Sequence, residues 1–248
     1  MPSSKSETFF ILCWLRREVK RIVDDVARSA RHRGPVPARA PEEVLRATTE
    51  PDFQQDRARK SYLALIEAAT KLFEKHGYDA TGTPEIAQAA GVSVGTFYRY
   101  FDDKHEVYLE VARRMMLTAY AETIEHLTPQ RFVGKARKET IALAIDHLFA
   151  HVLGRPQLMR SFSEMSLRDP AVGELRSAFD AISIGRMAAL ITAITTREVV
   201  PDPEATAHVI YGACMECAYG AAFGRYAVDV PRAKLALGAI VERALFPA

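Results

Sequence analysis

Residues 83–101 read TPEIAQAAGVSVGTFYRYF, which contains two short helical patterns joined at Gly91. In the first pattern, apolar residues recur at helical spacing between Ile86 and Ala90. Gly91 is expected to take the left-handed conformation that ends this helix, and Ser93 is expected to cap the next one. The segment therefore predicts a helix-turn-helix, which places its second helix in the major groove of DNA.

The second helix of this unit has two unlike faces. Phe97 and Phe101 stand four residues apart on the face that we expect to be buried. The opposite face is polar and aromatic, which packing inside a helical hairpin does not explain. Its residues can approach base edges or phosphates, and a lysine at the start of the next helix can hold a further phosphate. These predicted DNA-contacting residues are Ser93, Val94, Gly95, Thr96, Tyr98, Arg99, Tyr100 and Lys104.

The bulk composition excludes several classes of protein. With 248 residues, 48% of them hydrophobic, the chain is long enough for one large domain or two modest ones. A formal net charge of +2 is too small for a polybasic protein, so affinity for nucleic acid must come from local clusters. Three cysteines fit a reducing cytosol and predict a cytoplasmic protein. The longest apolar run, Phe9–Leu15, falls short of the roughly 20 residues of a membrane span.

From Arg57 onward almost every segment has helical periodicity, interrupted by proline and glycine. The sequence therefore predicts an all-α fold. Asp169 and Asp202, each followed by proline, are expected to begin helices. The predicted helices lie near residues 58–76, 84–90, 94–101, 104–126, 133–153, 157–167, 171–197, 203–224 and 231–246.

The part of the chain before this helical region has two sections. Residues 1–34 are predicted to hold an amphipathic helical extension, because apolar residues recur every three or four positions between Leu12 and Val26. Residues 35–56 are predicted to be a linker rich in proline and arginine. The arginines between Arg31 and Arg39 suggest a basic arm that enters the minor groove; a leader without a DNA role is the alternative.

The segment GYDATGTPEIAQAAGVSVGTFYRYFDDKHEVY at 77–108, with the preceding YLALIEAATKLFEKH, resembles the TetR family of transcriptional regulators. The resemblance implies a three-helix DNA-binding domain at 57–103 and a larger helical ligand-binding and dimerisation domain at 104–248. It also implies a homodimer through residues 203–246 on a palindromic operator, acting as a repressor. Val94 departs from the Lys or Arg that relatives often carry, which weakens the case for a bidentate guanine contact. The resemblance assigns phosphate contacts to Thr83, Ser93, Thr96, Tyr98, Tyr100 and Lys104.

The predicted helices between residues 133 and 197 carry large, deformable apolar side chains. Methionine and phenylalanine adapt to irregular lipophilic guests, and helical bundles form cavities between their helices. We therefore expect some of these side chains to line a pocket for a small lipophilic effector, although ordinary core packing accounts for most of them. The candidates are Phe149, Met159, Phe162, Met165, Phe179 and Met187.

Three other patterns suggest chemistry that their context disfavours. Residues 91–95 match the G-x-S-x-G pattern of serine hydrolases, but that motif needs a preceding strand where this sequence predicts a helix, so no enzyme is expected. Cys214 and Cys217 form a C-x-x-C pair within a predicted helix and fit buried packing better than redox or zinc chemistry. His147, His151 and Glu164 form a weak candidate for a metal site, and no metal site or cofactor is predicted.

The remaining alternative function is a dimeric architectural DNA-binding protein that does not respond to ligands.

Overall fold

The computed structural model describes residues 41–46, 53, 55–132, 136–225 and 229–247. Within these residues the chain is helical and contains no strand, which confirms the predicted all-α class. A short 3-10 helix, Pro129–Phe132, separates the fifth and sixth α-helices. The α-helices are α1 (Pro41–Arg46), α2 (Asp56–His76), α3 (Thr83–Ala89), α4 (Val94–Phe97), α5 (Lys104–Thr123), α6 (Ala136–Gly154), α7 (Pro156–Arg168), α8 (Pro170–Ile194), α9 (Pro203–Ala222) and α10 (Val230–Leu245).

Aspartate caps fix where four of the helices begin. The side chains of Asp103, Asp169, Asp202 and Asp229 each accept a hydrogen bond from a backbone N–H in the first turn that follows. These carboxylates satisfy donors that have no partner inside the helix, and they lie at the positive end of its dipole. The helix starts predicted at Asp169 and Asp202 are thereby confirmed.

The second helix of the predicted helix-turn-helix is shorter than expected. The sequence predicted a helix to residue 101, whereas α4 ends at Phe97 and residues 98–100 form turns. The amide of Tyr100 donates to the carbonyl of Phe97, three residues back, at 3.0 Å. This tighter hydrogen bond, typical of 3-10 geometry, winds the chain away from the α-helix.

Helices α2, α3 and α4 pack together around an aromatic core, with α5 against α2. Tyr62 of α2 stacks on Phe101 with ring centroids 5.2 Å apart, and Phe97 and Phe101 are buried. Gly91 has φ of 69°, the left-handed conformation predicted for the turn between α3 and α4. The core therefore holds α4 by the inner face that the sequence indicated.

The larger group of helices, α5 to α10, forms a second bundle. Helix α8 packs against α7 and α9, and α6 packs against α9 and α10. Helix α7 also packs against α2 and so joins the two groups. Near this junction Arg168 donates to both carboxylate oxygens of Asp79 at 2.9 Å, and the hydroxyls of Tyr108 and Ser161 lie 3.3 Å apart. The two groups are thus connected by specific polar contacts as well as by α5.

Part of the segment predicted as a linker is ordered against the rest of the chain. Helix α1 packs on α8 and buries Val44 and Leu45. Phe53 contacts Tyr62 and Tyr100, with ring centroids 5.3 and 6.0 Å away. The amphipathic helix predicted within residues 1–34 and the basic arm of Arg31 to Arg39 lie outside the described residues. The domain boundaries stay predictions.

Among the described residues, α8 alone has the length and apolar composition to cross a membrane, with a mean hydropathy of 1.4 over its most apolar window. Length and composition are weak evidence, because helices of water-soluble proteins meet the same test. Here α8 packs against α1, α5, α7 and α9 and carries the ion pair of Arg176 with Asp180. These contacts explain the apolar composition of α8 by its packing within the helical bundle.

Candidate nucleic-acid interface and ligand cavity

The start of α4 is fixed by Ser93. Its hydroxyl accepts a hydrogen bond from the amide of Thr96 at 3.1 Å and lies 2.9 Å from the Thr96 hydroxyl. This is the N-cap predicted from the sequence. Ser93 is therefore held by its own helix, in contrast to a hydrolase nucleophile, which would be hydrogen-bonded to a base.

The outer face of α4 is open to solvent. Ser93, Gly95 and Arg99 are exposed, and the apolar side chain of Val94 is 40% exposed. Tyr98 is 53% exposed, although burial of an aromatic ring is ordinarily favourable. The structure therefore brings most of the predicted base-facing and phosphate-facing residues onto one accessible surface.

Two of the predicted phosphate contacts lie together. The hydroxyls of Thr83, at the start of α3, and Tyr98, just after α4, are 3.1 Å apart. Each hydroxyl can donate one hydrogen and accept others, so one of the two keeps a donor for an incoming phosphate oxygen. The pair also fixes the ring of Tyr98 relative to α3.

The ammonium group of Lys104 makes contacts within the protein that the sequence did not indicate. Its ammonium donates to the carbonyl of Tyr78 at 2.8 Å and lies 4.3 Å from the centre of the Tyr78 ring. At the start of α5 the backbone N–H of Glu106 is also occupied, because it donates to the carboxylate of Asp103 at 2.9 Å. Any phosphate contact by Lys104 would therefore use its remaining N–H groups.

Tyr100 is partly buried in an aromatic cluster with Tyr62 and Phe53, its ring 5.8 Å from that of Tyr62. Sequence reasoning did not single out Phe53. One signal was available, because Phe53 is the only aromatic residue between Arg16 and Ser61. Burial of an aromatic ring is favourable, so an aromatic residue in a polar segment is a candidate for packing against the core.

Gly95 has no steric reason to be glycine within the protein. A Cβ placed there would meet only the Ser93 hydroxyl, at 3.8 Å, which is an ordinary van der Waals distance. Glycine in a helix is less favourable than alanine by up to about 1 kcal/mol. Close approach of an external surface to the backbone would explain a glycine at this position.

Two neighbouring cavities lie inside the second bundle. The first, of about 110 Å³, has apolar walls from α5, α6, α8, α9 and α10. The second, of about 50 Å³, lies between α5, α6, α7, α8 and α9. Of the predicted ligand-binding residues, Met187 lines the first cavity, while Met159, Phe162 and Phe179 line the second. Phe149 and Met165 line neither of them and are buried elsewhere in the core.

Helix α9 also contributes to these walls, which the sequence did not indicate. Tyr211 and Met215 line both cavities, and Cys214 lines the first. Burial, reinforced by Cys217, raises the pKa of the Cys214 thiol to about 11, so the thiol stays protonated and unreactive at neutral pH. The cysteine therefore acts as a small apolar wall residue.

The weak metal candidate is not assembled in the described residues. His147 lies 3.1 Å from the carbonyl oxygen of Glu122, and His151 lies 3.4 Å from its carboxylate. Neither histidine is bonded to Glu164, and the described part of the chain has no cluster of three ligands suited to a metal ion. Burial lowers the pKa of His151, although Glu122 opposes this.

The helix-turn-helix segment matches a known family. Residues 65–111 match the model of the bacterial regulatory proteins, tetR family. Over these residues the chain is similar to the TetR family of regulators. The match extends through α3, α4 and the first part of α5 and includes the exposed face of α4.

Curated relatives of the chain are named as regulators, which agrees with the prediction that it is not an enzyme. It is 28% identical over 127 residues to the "Fatty acid metabolism regulator protein" of Bacillus subtilis, covering 51% of this chain and 62% of that protein. It is 46% identical over 86 residues to the "HTH-type transcriptional activator FasR" of Mycolicibacterium smegmatis, covering 34% and 39%. The chain thus spans about two to three fifths of the length of these relatives.

Solved structures extend the likeness to the second bundle. A transcriptional regulator from Rhodococcus sp. Rha1 superposes with a TM-score of 0.61 at 19% identity, over 74% of this chain and 95% of that one. At this identity the likeness concerns the fold. It confirms the predicted arrangement of a helix-turn-helix domain followed by a larger helical domain.

Proposed function

We propose that this chain is a TetR-family regulator, a homodimeric DNA-binding transcriptional repressor that leaves a palindromic operator when a small lipophilic molecule binds in the second bundle. The observation that carries the proposal is the open face of α4, with Val94, Gly95, Tyr98 and Arg99 exposed above a buried aromatic core. A protein acting on genomic DNA in this way would work in the cytoplasm.

Base reading is assigned to Val94, Gly95 and the methyl group of Thr96, while the Thr96 hydroxyl keeps the phosphate contact that the family resemblance implies. The methyl groups of Val94 and Thr96 can contact a thymine methyl, and Gly95 lets the backbone approach the base edges. Phosphate contacts, which fix the register without reading sequence, are assigned to the hydroxyls around Thr83 and Tyr98 and to the remaining predicted polar residues. Arg99 is exposed and supplies a charge close to this surface.

The dimer is assigned to α9 and α10, within the predicted range 203–246. Val209 is 70% exposed, Leu235 75% and Ile240 62%, although large apolar side chains are normally covered. The small residues Gly212 and Ala213 are exposed on α9 as well, which permits close helix approach. A second copy covering these faces by two-fold symmetry would present two α4 helices to successive major grooves, roughly 34 Å apart.

The effector is assigned to the two cavities. Their walls are largely apolar, and they are built by helices that also contact the DNA-binding helices. Helix α5 lines both cavities and leads directly from α4, while α7 lines the second cavity and packs on α2. A ligand that binds better when α5 has pivoted would change the distance between the two α4 helices and weaken operator binding.

The decisive experiment selects operator DNA from genomic fragments and then adds lipophilic compounds. Fatty acids are the first series, because the Bacillus relative is named for fatty acid metabolism. We expect a palindromic site that is released by at least one compound, with transcription from that site rising on release. A fall in transcription would indicate an activator, the role named for the Mycolicibacterium relative.

A cavity-filling variant separates ligand response from DNA binding. Ala144 of α6 lines the first cavity, whereas Ala193 of α8 is exposed and lines neither cavity. Ala144→Phe should retain operator binding and lose release, and Ala193→Phe should behave like the unmodified protein. If the operator is bound but no compound releases it, the protein is a DNA-binding protein that ignores ligands.

A further inference from the structure

The two cavities adjoin one another within the second bundle and share part of their walls, so together they outline one candidate ligand space. The residues common to both walls are Thr123, Ile124, Leu148, Tyr211 and Met215. Because these residues line both cavities, rotation of their side chains would let one ligand occupy both. A ligand filling both cavities would therefore be longer than it is wide.

The ends of this space differ in charge. The described walls of the first cavity include no Asp, Glu, Lys or Arg, whereas the second includes Arg176. His151 also lines the second cavity, but burial lowers its pKa below the ordinary value. At neutral pH the guanidinium of Arg176 is therefore the charged group in the wall.

Neighbouring side chains hold the guanidinium of Arg176 in place. Its Nε lies 3.1 and 3.0 Å from the two carboxylate oxygens of Asp180, and one terminal nitrogen donates to the Tyr219 hydroxyl at 3.4 Å. Its central carbon lies 5.9 and 5.5 Å from the centres of the Phe162 and Tyr219 rings. Tyr211 also donates its hydroxyl hydrogen to Asp180.

This arrangement leaves part of the guanidinium unused. Within the described residues, the second terminal nitrogen of Arg176 donates to no protein atom. A guanidinium presents parallel N–H groups whose spacing matches the two oxygens of a carboxylate. Because Asp180 and the two rings already fix the group, a ligand carboxylate would meet it with little further loss of side-chain freedom.

We infer that Arg176 binds the carboxylate of an aliphatic monocarboxylic acid whose chain extends through the second cavity into the first. The inference rests on the proposed function for the location of the effector site, and it adds the chemical class and the direction of the ligand. Asp180 lines the groove on the outer side of α8. Arg176 and Asp180 are both partly exposed, so the carboxylate end lies towards the surface, and the hydrocarbon end lies among the apolar walls of the first cavity.

The test measures binding to the full chain by calorimetry in the absence of DNA. The probes are dodecanoate and 1-dodecanol, which share a hydrocarbon chain and differ in charge, each below the concentration at which it aggregates. We expect dodecanoate to bind at least about tenfold more tightly than the alcohol, because only the carboxylate uses the Arg176 fork. In Arg176→Gln this preference should fall below about threefold, with affinity for the alcohol unchanged.

Two further variants keep the test decisive. Arg186→Gln removes an exposed arginine from the same helix and should leave the preference intact. If Arg176→Gln fails to fold because Asp180 loses its partner, the double change Arg176→Gln with Asp180→Asn removes both charges and should also abolish the preference.

Three results would overturn the inference. The unmodified protein could bind the acid and the alcohol with equal affinity, or it could bind neither probe. The preference for the acid could also stay unchanged in a folded protein that lacks Arg176. Operator release is measured separately. Tight, Arg176-dependent dodecanoate binding without release would support the head-group assignment and contradict the proposed ligand response. Release of the operator by other lipophilic compounds, without binding of dodecanoate, would support the proposed ligand response and contradict the head-group assignment.

Discussion

Gly95 illustrates how a single residue can point to a partner. It lies in the exposed face of α4, its helix would be more stable with alanine, and a Cβ would meet nothing closer than 3.8 Å. The free protein therefore gives no reason for glycine. Under the proposed function, the reason is the approach of base edges to the backbone.

Gly95→Ala should accordingly separate stability from DNA binding. We expect unchanged or slightly higher thermal stability, and operator affinity lower by about tenfold, or 1.4 kcal/mol. Gly154→Ala, at the end of α6 with open space around it, is the matched control and should leave operator affinity unchanged. If Gly95→Ala binds its operator as well as the unmodified protein, α4 does not approach the bases at this position.

Residues assigned to phosphate should contribute to the affinity for DNA without affecting which sequence is preferred. Tyr98→Phe removes a hydroxyl assigned to phosphate and should weaken binding to all sequences equally. Lys104→Ala should do the same and lower the salt slope by about one, and it should also reduce stability because Lys104 ties down the carbonyl of Tyr78. Fluorescence anisotropy on operator and random duplexes at several salt concentrations measures both effects.

Substitution of Val94 or Thr96 should instead change the preferred operator. One base pair should shift by roughly 1–3 kcal/mol, since both side chains are assigned to base edges. Repeating the operator selection with each variant reveals the change. An unaltered preference would place both residues among those that merely support the helix, and altered preference in Tyr98→Phe would contradict its assignment to phosphate.

Helix α1 is short, but it adds buried contacts to the fold. Its six residues fall in the predicted linker, yet Val44 and Leu45 are buried against α8. A few residues later, Phe53 packs on the DNA-binding helices through Tyr62 and Tyr100. Helix α1 thus contacts the larger helical group and Phe53 contacts the DNA-binding group, so a deletion that removes both affects packing as well as any basic arm.

Leu45→Ala should lower the free energy of unfolding by about 2 kcal/mol, because a buried leucine loses its contacts and leaves a cavity. Leu167→Ala is the matched control, since Leu167 is 91% exposed and its truncation should change stability by less than about 0.5 kcal/mol. Urea unfolding of both variants measures the difference. Equal midpoints would show that α1 does not pack on α8 in solution.

Two deletions can then test the basic arm without confusing it with packing. Removing residues 1–40 takes away Arg31, Arg33 and Arg39 but keeps α1 and Phe53. This deletion should reduce operator affinity and make the salt dependence shallower, as expected of a cationic arm near DNA. Removing residues 1–55 should in addition lower thermal stability. Unchanged affinity and salt slope after the shorter deletion would exclude a DNA role for the arm.

For the molecule as a whole, the exposed apolar side chains of α9 and α10 require a second copy under the proposed function. Val209→Glu and Leu235→Glu would each place two like charges near a two-fold interface and should convert the dimer to a monomer. Operator affinity should fall with dimerisation, because a monomer contacts only one half-site.

Sedimentation analysis with and without operator DNA measures this change. Leu167→Glu is the control, since Leu167 is equally apolar and more exposed but lies on α7, outside the assigned interface. A dimer that survives both substitutions would move the interface elsewhere. A monomer that keeps full operator affinity would contradict the need for two half-sites.

Local signals in the sequence were sufficient for the helix-turn-helix. The left-handed turn at Gly91, the cap at Ser93 and the buried pair Phe97 and Phe101 depend on neighbouring residues, so spacing and residue type predicted them correctly. The helix starts at Asp169 and Asp202 were predictable for the same reason, since a cap acts within one turn.

Contacts between distant segments could be read only from the tertiary structure. Three contacts join residues that are far apart in the sequence, where helical periodicity gives no information. They are the hydrogen bond from Lys104 to Tyr78, the packing of α1 on α8, and the contribution of Tyr211 to both cavities. Helical spacing shows which face of a helix is apolar, but not which partner covers it. The choice between core and cavity wall, as for Phe149 against Met187, therefore depends on how the helices pack.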